Sequence, residues 1–292
     1  MEITAALVKE LRERTSAGMM ECKKALQETN GDIDAAAEYM RKTGLAKADK
    51  KSGRVAAEGL IGIAQSKDGK AAAMVEINSE TDFVAKGDDF KNFVQSVADL
   101  ALANKSNDID SFKNLKMADG NSLSDNVKAL IAKIGENITV RRVVYVESAD
   151  RVSYYLHGAK IGVLVGMKGG SDEVGKDVAM HIAASKPVCV SAEEVPAQLI
   201  EKEREIYTAQ AAESGKPADI VEKMVNGRVS KYLKEVTLLG QPFVKDPDKT
   251  VEKLLKEASA MVNSFTRYEV GEGIEKKAEN FADEVMAQVK GS

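Results

Sequence analysis

The sequence predicts an α+β protein assembled from several modules, with helices packed on small antiparallel sheets. Three observations carry that expectation. A strand, turn, strand and helix pattern occurs twice, about 90 residues apart, which reads as a duplicated ββα-type core. Two long helical-period runs flank the turn Gly215-Lys-Pro217 and read as a helical hairpin. The chain has 292 residues, which is long for one core. The predicted boundaries are 1–54 for a three-helix module and its linker, 55–147 for a first core subdomain, and 148–190 with 241–272 for a second. The hairpin takes 191–240, and a C-terminal helical module takes 273–292.

Composition bounds the class. Hydrophobic content of 43% with 30% charged residues is ordinary for a globular protein. A net charge of −4 gives no strong field toward nucleic acid or an anionic membrane. Cys22 and Cys189 lie far apart with no pairing pattern, which fits a reducing cytosol. The start, Met1-Glu-Ile-Thr-Ala-Ala-Leu7, has no signal-peptide character, and no apolar run reaches the ~18–20 residues of a membrane span. The expectation is a soluble cytoplasmic protein with no membrane or direct nucleic-acid partner.

The N-terminal module reads as three short helices. The first covers about 4–14, with Ile3, Leu7 and Leu11 on one face. The second begins after Gly18, puts Met19, Cys22, Ala25 and Leu26 on an inner face, and ends at Asn30-Gly31. Asp32 caps the third, which buries Ile33, Ala36, Ala37 and Met40 and is expected to stop at Gly44. Met20 lies on the outer side with Lys23, Lys24 and Gln27. It is either a scattered surface residue or a soft contact for another protein, and the pattern leaves both open. Residues 45–54 form a lysine-rich tether, helical or extended, without the interleaved aromatics of a nucleic-acid site.

The first core copy has strands at 59–64 and 71–77 joined by the turn Ser66-Lys-Asp-Gly-Lys70. The connection Asn78-Ser-Glu-Thr-Asp-Phe-Val-Ala-Lys-Gly-Asp-Asp-Phe90 leads to a helix marked by Phe90, Phe93, Val94, Val97, Leu100 and Ala101. Phe83 is either the early end of that stripe or an exposed wedge for a partner. Gly87 argues against one unbroken helix, because glycine costs about 1 kcal/mol relative to alanine there. A polar stretch at 105–121, a helix at 124–134 ending at Gly135, and a strand at 137–147 complete this copy.

The second copy has strands at 154–156 and 160–168 around His157-Gly158, then a helix at 174–185. Its connection, Gly169-Gly-Ser-Asp-Glu-Val-Gly-Lys176, contains no aromatic. The local fold therefore does not demand one, which favours the exposed reading of Phe83. The hairpin helices cover 196–214 and 218–238, the second with a stripe of Ile220, Met224, Val225, Val229, Tyr232, Leu233 and Val236. It packs on its own domain or serves as a contact or dimerisation arm. A helix at 249–258, a strand at 264–270 and an amphipathic helix carrying Ile274, Ala278, Phe281, Val285 and Val289 follow.

Little of this points to covalent chemistry. Gly170-Ser-Asp-Glu-Val-Gly-Lys-Asp177 has the spacing of a phosphate-binding loop and follows a strand. Asp177 stands where a magnesium-binding hydroxyl is needed, and Asp172 and Glu173 repel a triphosphate, so an ordinary connection is the favoured reading. Two histidines without an HExxH or cysteine cluster do not make a metal site. His181, among Ala179, Met180 and Ile182, reads as structural, and His157 sits in a turn that can meet a partner. No nucleophile motif is visible. By elimination the chain reads as a binder of proteins, not an enzyme, with no cofactor.

Several stretches closely resemble the bacterial elongation factor Ts family, the guanine-nucleotide exchange factors of elongation factor Tu. They are Val8-Lys-Glu-Leu-Arg-Glu-Arg-Thr15, Gly18-Met-Met-Glu-Cys-Lys-Lys-Ala-Leu26, Thr81-Asp-Phe-Val-Ala85, Ala132-Lys-Ile-Gly-Glu-Asn137, His157-Gly-Ala-Lys-Ile-Gly162, Gly240-Gln-Pro-Phe-Val244 and Glu269-Val-Gly-Glu-Gly-Ile274. Each is weak alone, but in this order they are specific. Ser16 and Glu21 depart from the family's usual Gly and Asp.

The resemblance implies an N-terminal module like a ubiquitin-associated (UBA) domain, a duplicated core, a protruding coiled-coil hairpin and a C-terminal helix module that docks on the partner. It implies that Thr81, Asp82, Phe83 and Val84 intrude between two helices of the partner's GTPase domain and disturb its magnesium site. Flanking contacts are implied at Arg12, Met19, Met20, Lys23, Ile134, Gly135 and His157. For Met19 this opposes the periodicity, which turns it inward. The rival readings are a UBA-like adaptor acting through 1–44 without exchange activity, and a nucleotide-binding enzyme using 170–176. A homodimer through the hairpin stays open.

Overall fold

The computed structural model describes residues 3–15, 17–213 and 215–275. The predicted C-terminal helix, apart from Ile274, and the departure at Ser16 lie outside them.

Helices α1 (Ala5–Thr15), α2 (Met19–Glu28) and α3 (Ile33–Lys51) close around Val8, Leu11, Cys22, Ala25, Leu26 and Ala36. Asp32 opens α3 by accepting the Ala35 N–H at 2.9 Å. The expected stop at Gly44 is corrected, because α3 runs on to Lys51. Gly44 is buried, and a Cβ there would fall 2.9 Å from Cβ of Ala132. The glycine permits a close helix crossing, and that packing outweighs its poor helix propensity.

The first core copy comprises β1 (Glu58–Gln65), β2 (Ala71–Ser79), α4 (Asp82–Lys86), α5 (Asp88–Ala103), α6 (Ile109–Lys113), α7 (Leu123–Ile134) and β3 (Ile138–Glu147). The second comprises β4 (Arg151–His157), β5 (Ile161–Gly169) and α8 (Asp172–Ser185). After a 3₁₀ turn at Ala192–Glu194 come α9 (Ala197–Ala212) and α10 (Ala218–Val236). Then follow β6 (Pro242–Phe243), β7 (Asp246–Thr250), α11 (Val251–Glu257) and β8 (Ala260–Glu269).

The two main sheets are antiparallel, in the orders β1-β2-β3 and β4-β5-β8. The predicted duplication is present and includes a third strand in each copy. Both middle strands carry a register shift, at Glu76/Ile77 and at Gly166/Met167. Both connections then start a helix on a hydroxyl cap, Thr81 in one and Ser171 in the other. Helix α6 was not expected in the polar stretch at 105–121. The helix expected from 249 begins at Val251, because Lys249 and Thr250 belong to β7.

Every residue of β2 is buried, and the alternation of a strand says why. Ala73, Val75 and Ile77 face α5, where Phe90, Val94 and Val97 pack. Ala72 and Met74 face the other way and meet Val152 and Leu164 of the second sheet, with Ile61. Val163, Val165 and Met167 in turn face Val178 and Ile182 of α8. The layers are therefore helix, sheet, sheet, helix. Gly162 lets the sheets touch, since a Cβ there would lie 2.5 Å from Ile61 Cγ2 and 2.6 Å from Met74 Sδ.

Helices α9 and α10 hold a small core of their own, built on Ala211, Val225 and Val229. Ile220, predicted in that stripe, is exposed instead. It sits in the first turn of α10, beside the tip of the hairpin. Among the described residues no helix is long and apolar enough to cross a membrane.

Candidate functional site

The site is built where β2 ends. Thr81 is extended (φ −120°, ψ 157°), and its Oγ1 accepts the Val84 N–H at 3.5 Å, starting the short helix α4. The Glu136 carboxylate grips Thr81 at two points. It accepts the Thr81 N–H at 2.9 Å and the Thr81 hydroxyl at 2.6 Å. One residue further, the Asn137 N–H donates to Glu80 Oε1 at 2.6 Å. The two turns β2–α4 and α7–β3 therefore hold each other by reciprocal carboxylate bonds, of the stronger charge-assisted kind. Gly135 ends α7 in the left-handed region, φ 89°, with its N–H on Ile131 O at 2.8 Å.

Within α4 the side chains divide by direction. Ala85 is buried, and Val84 packs half-buried against the first core. Phe83 is turned outward and is 81% exposed. Phe83 is therefore not the early end of the buried stripe of α5, and its exposure is as expected. In the second copy the equivalent connection places Glu173 on the surface. The cap is common to both copies, and the aromatic belongs to one.

Asp82 Oδ2 lies 2.6 Å from Lys86 Nζ, and this bond from Lys86 holds its carboxyl below the usual range. Lys86 also stands 5.8 Å from the Phe83 ring. Gly87 (φ −71°, ψ 144°) separates α4 from α5, as its position in the sequence suggested.

Ile134 and Gly135 are half-buried beside this clamp. His157 is exposed at the end of β4, its Nδ1 3.1 Å from the Tyr155 hydroxyl. The turn after it meets the start of β1, where Lys160 Nζ lies 3.1 Å from Glu58 Oε2 and donates to Gly59 O at 3.0 Å. Glu58 is paired with Ser79 at the end of β2. Arg12, Met19, Met20 and Lys23 stand on α1 and α2, all exposed, in the module whose α3 packs on α7. Met20 is 76% exposed and Met19 44%. The inward placing of Met19 is thereby corrected. It opens α2 a turn before Cys22, the first residue of that helix in the packed core.

The glycines of 169–176 have structural work. Gly169 and Gly170 turn the chain at φ 67° and 70°. A Cβ on Gly175 would fall 2.0 Å from Ser153 Oγ. Arg151 pairs with Asp172 at 3.0 Å, and Lys245 with Asp177 at 2.6 Å. His181 is buried, with Nε2 2.9 Å from Gln241 Oε1, while Nδ1 accepts the Val244 N–H at 3.2 Å. Its expected structural role fits that geometry. Among the described residues no cluster of His, Cys, Asp and Glu is arranged to hold a metal.

A sequence profile described as "Elongation factor TS" matches residues 80–272, from the clamp through β3, the hairpin and the second sheet. A protein named "Elongation factor Ts" from Thioalkalivibrio sulfidiphilus is 61% identical over 294 residues, covering 100% of both chains. One of the same name from Methylococcus capsulatus is 61% identical over 293 residues, again covering 100% of both. Another, from Legionella pneumophila (strain Paris), is 58% identical over 288 residues and 99% of each. With identity this high from end to end, the chain belongs to the elongation factor Ts family.

Proposed function

We propose that this chain is a cytoplasmic guanine-nucleotide exchange factor that binds elongation factor Tu and promotes GDP release by disturbing the magnesium and phosphate site, so that GTP can enter. The observation that carries the reading is Phe83, a large apolar side chain held 81% exposed on a capped and clamped helix. Leaving such a surface in water forgoes about 25 cal/mol for each Å² that a partner would cover. Thr81 and Asp82 fix the helix that carries it, and Val84 anchors it to the core. Arg12, Met19, Met20, Lys23, Ile134, Gly135 and His157 supply flanking contacts. Residues 1–54 serve as a UBA-like docking module, 55–147 and 148–190 with 241–272 as the core subdomains, 191–240 as a coiled-coil arm able to pair two copies, and 273–292 as a docking segment.

The mechanism is linkage. A partner that prefers the nucleotide-free state must weaken nucleotide binding by the same factor, and each ~1.4 kcal/mol of coupling is tenfold. Magnesium is the largest local charge on the phosphates, so moving its ligands is an effective lever. The chain itself binds no nucleotide and makes no covalent bond.

Stopped-flow release of a fluorescent GDP analogue from elongation factor Tu tests this. The wild type should accelerate release, and Phe83→Ala should lose at least about tenfold of that acceleration, the scale of one interface hot spot. The gap between the two should narrow when a chelator removes magnesium. Equal acceleration by both proteins would move the cause away from Phe83. No acceleration by the wild type would leave the UBA-like adaptor as the better reading.

A further inference from the structure

The α7–β3 turn touches more of the molecule than its length suggests. Glu136 takes both polar hydrogens of Thr81, and Glu80 takes the Asn137 N–H. The buried Asn137 carboxamide donates to Arg54 O at 2.6 Å and to Ser52 O at 3.3 Å. Lys51, the last residue of α3, donates its ammonium to Gly135 O. Arg54 pairs with Glu80 at 3.6 Å. Three segments distant in sequence, 51–54, 80–81 and 135–137, are thus fastened at one point. The first continues from the module bearing Met19 and Met20. The second starts the helix bearing Phe83.

We propose that Glu136 is a positioning residue for Phe83, and that the Gly135-Glu136-Asn137 turn holds the N-terminal module and the Phe83 helix in one fixed relation. This rests on the exchange reading above. Thr81 has one hydroxyl, and that group both receives the Val84 N–H and gives its hydrogen to Glu136. Glu136 therefore orients the cap. With the carboxylate gone, the hydroxyl is free to turn away from Val84, and the five-residue α4 loses the group that starts it. A helix that short does not hold itself, so Phe83 would sample many directions and have to be ordered at the insertion step, after the flanking contacts have formed. The bonds of Glu136 go to Thr81 and not to Phe83, so its effect passes through Thr81.

The test uses the full chain. Glu136→Ala should lower the maximal rate of GDP-analogue release at saturating chain by roughly tenfold, and Glu136→Gln, which keeps one acceptor, by less. The half-saturating concentration should change less than about twofold, because the flanking contacts are intact. In a Phe83→Ala background, Glu136→Ala should add almost nothing. Hydrogen exchange of the free chain should show the Thr81 and Val84 amides opening faster in Glu136→Ala at an unchanged melting temperature.

Three outcomes would overturn the inference: a wild-type maximal rate with intact amide protection in Glu136→Ala, a loss confined to half-saturation, or the same fold-loss with and without Phe83. If the wild type releases no analogue, the exchange reading falls and this role falls with it. If the wild type is active and Glu136→Ala matches it, only this inference falls.

Discussion

His181 lies buried between Gln241 and the Val244 amide, and burial pushes its pKa below the ordinary 6.5, with the Gln241 bond acting the other way. A histidine depressed in the folded state takes up its proton more readily when unfolded. Its contribution to stability is therefore full above about pH 6.5 and is lost as pH falls through the folded value. Thermal unfolding followed from about pH 7.5 down to about pH 5.5 should show a falling melting temperature, and His181→Gln should flatten that slope. The residues that sequence reveals best are those out of keeping with their surroundings. Phe83 had no counterpart in the second copy, and Met20 broke a charged face. Met19 misled because helical period gives direction around the axis and not where the packed core begins along it. Glu136 could not be found, because its partner Thr81 is 55 positions away and no periodicity links them.

At the scale of elements, the break between α4 and α5 was legible because Gly87 has one plausible reading between two helical patterns. Gly44 reads in the sequence as a helix stop, yet it ends no helix and lets α3 lie against Ala132 of α7. Gly44→Leu should push the helices apart and cost roughly 1–3 kcal/mol in denaturant unfolding, with faster hydrogen exchange along residues 33–44. An unchanged midpoint would mean that the crossing is looser than its geometry. Helix α6 and the β6–β7 hairpin escaped notice because five residues or fewer display no period, and capping residues such as Asp108 are also common in loops.

For the whole molecule, the duplication was visible as a repeated pattern, but the stacking of its two sheets was not. The continuous burial of β2 is its imprint, and a run such as Ala71-Ala-Ala-Met-Val-Glu-Ile77 shows apolarity without showing what covers each side. Even the charged member of that run is used. Glu76 is fully buried, pairs with Arg141 and Arg142, and accepts the Gly271 N–H at 2.8 Å, tying the end of β8 to the first sheet. Because Gly162 sits where the sheets meet, Gly162→Val should cost at least about 1–3 kcal/mol. Both halves should still unfold in one transition, as seen by circular dichroism and calorimetry, and two separated transitions would show that the stacked face does not couple them. The hairpin stands outside that unit. It leaves and re-enters the second copy at one point, where the Val188 N–H meets Val236 O at 2.8 Å and Cys189 bridges to Thr237. Its length is therefore free of the strand register. Doubling the residues beyond such a neck adds only about 0.6 kcal/mol of loop-closure entropy. Evolution can stretch, trim or replace this arm to suit new neighbours while the ladder between β5 and β8 stays as it is.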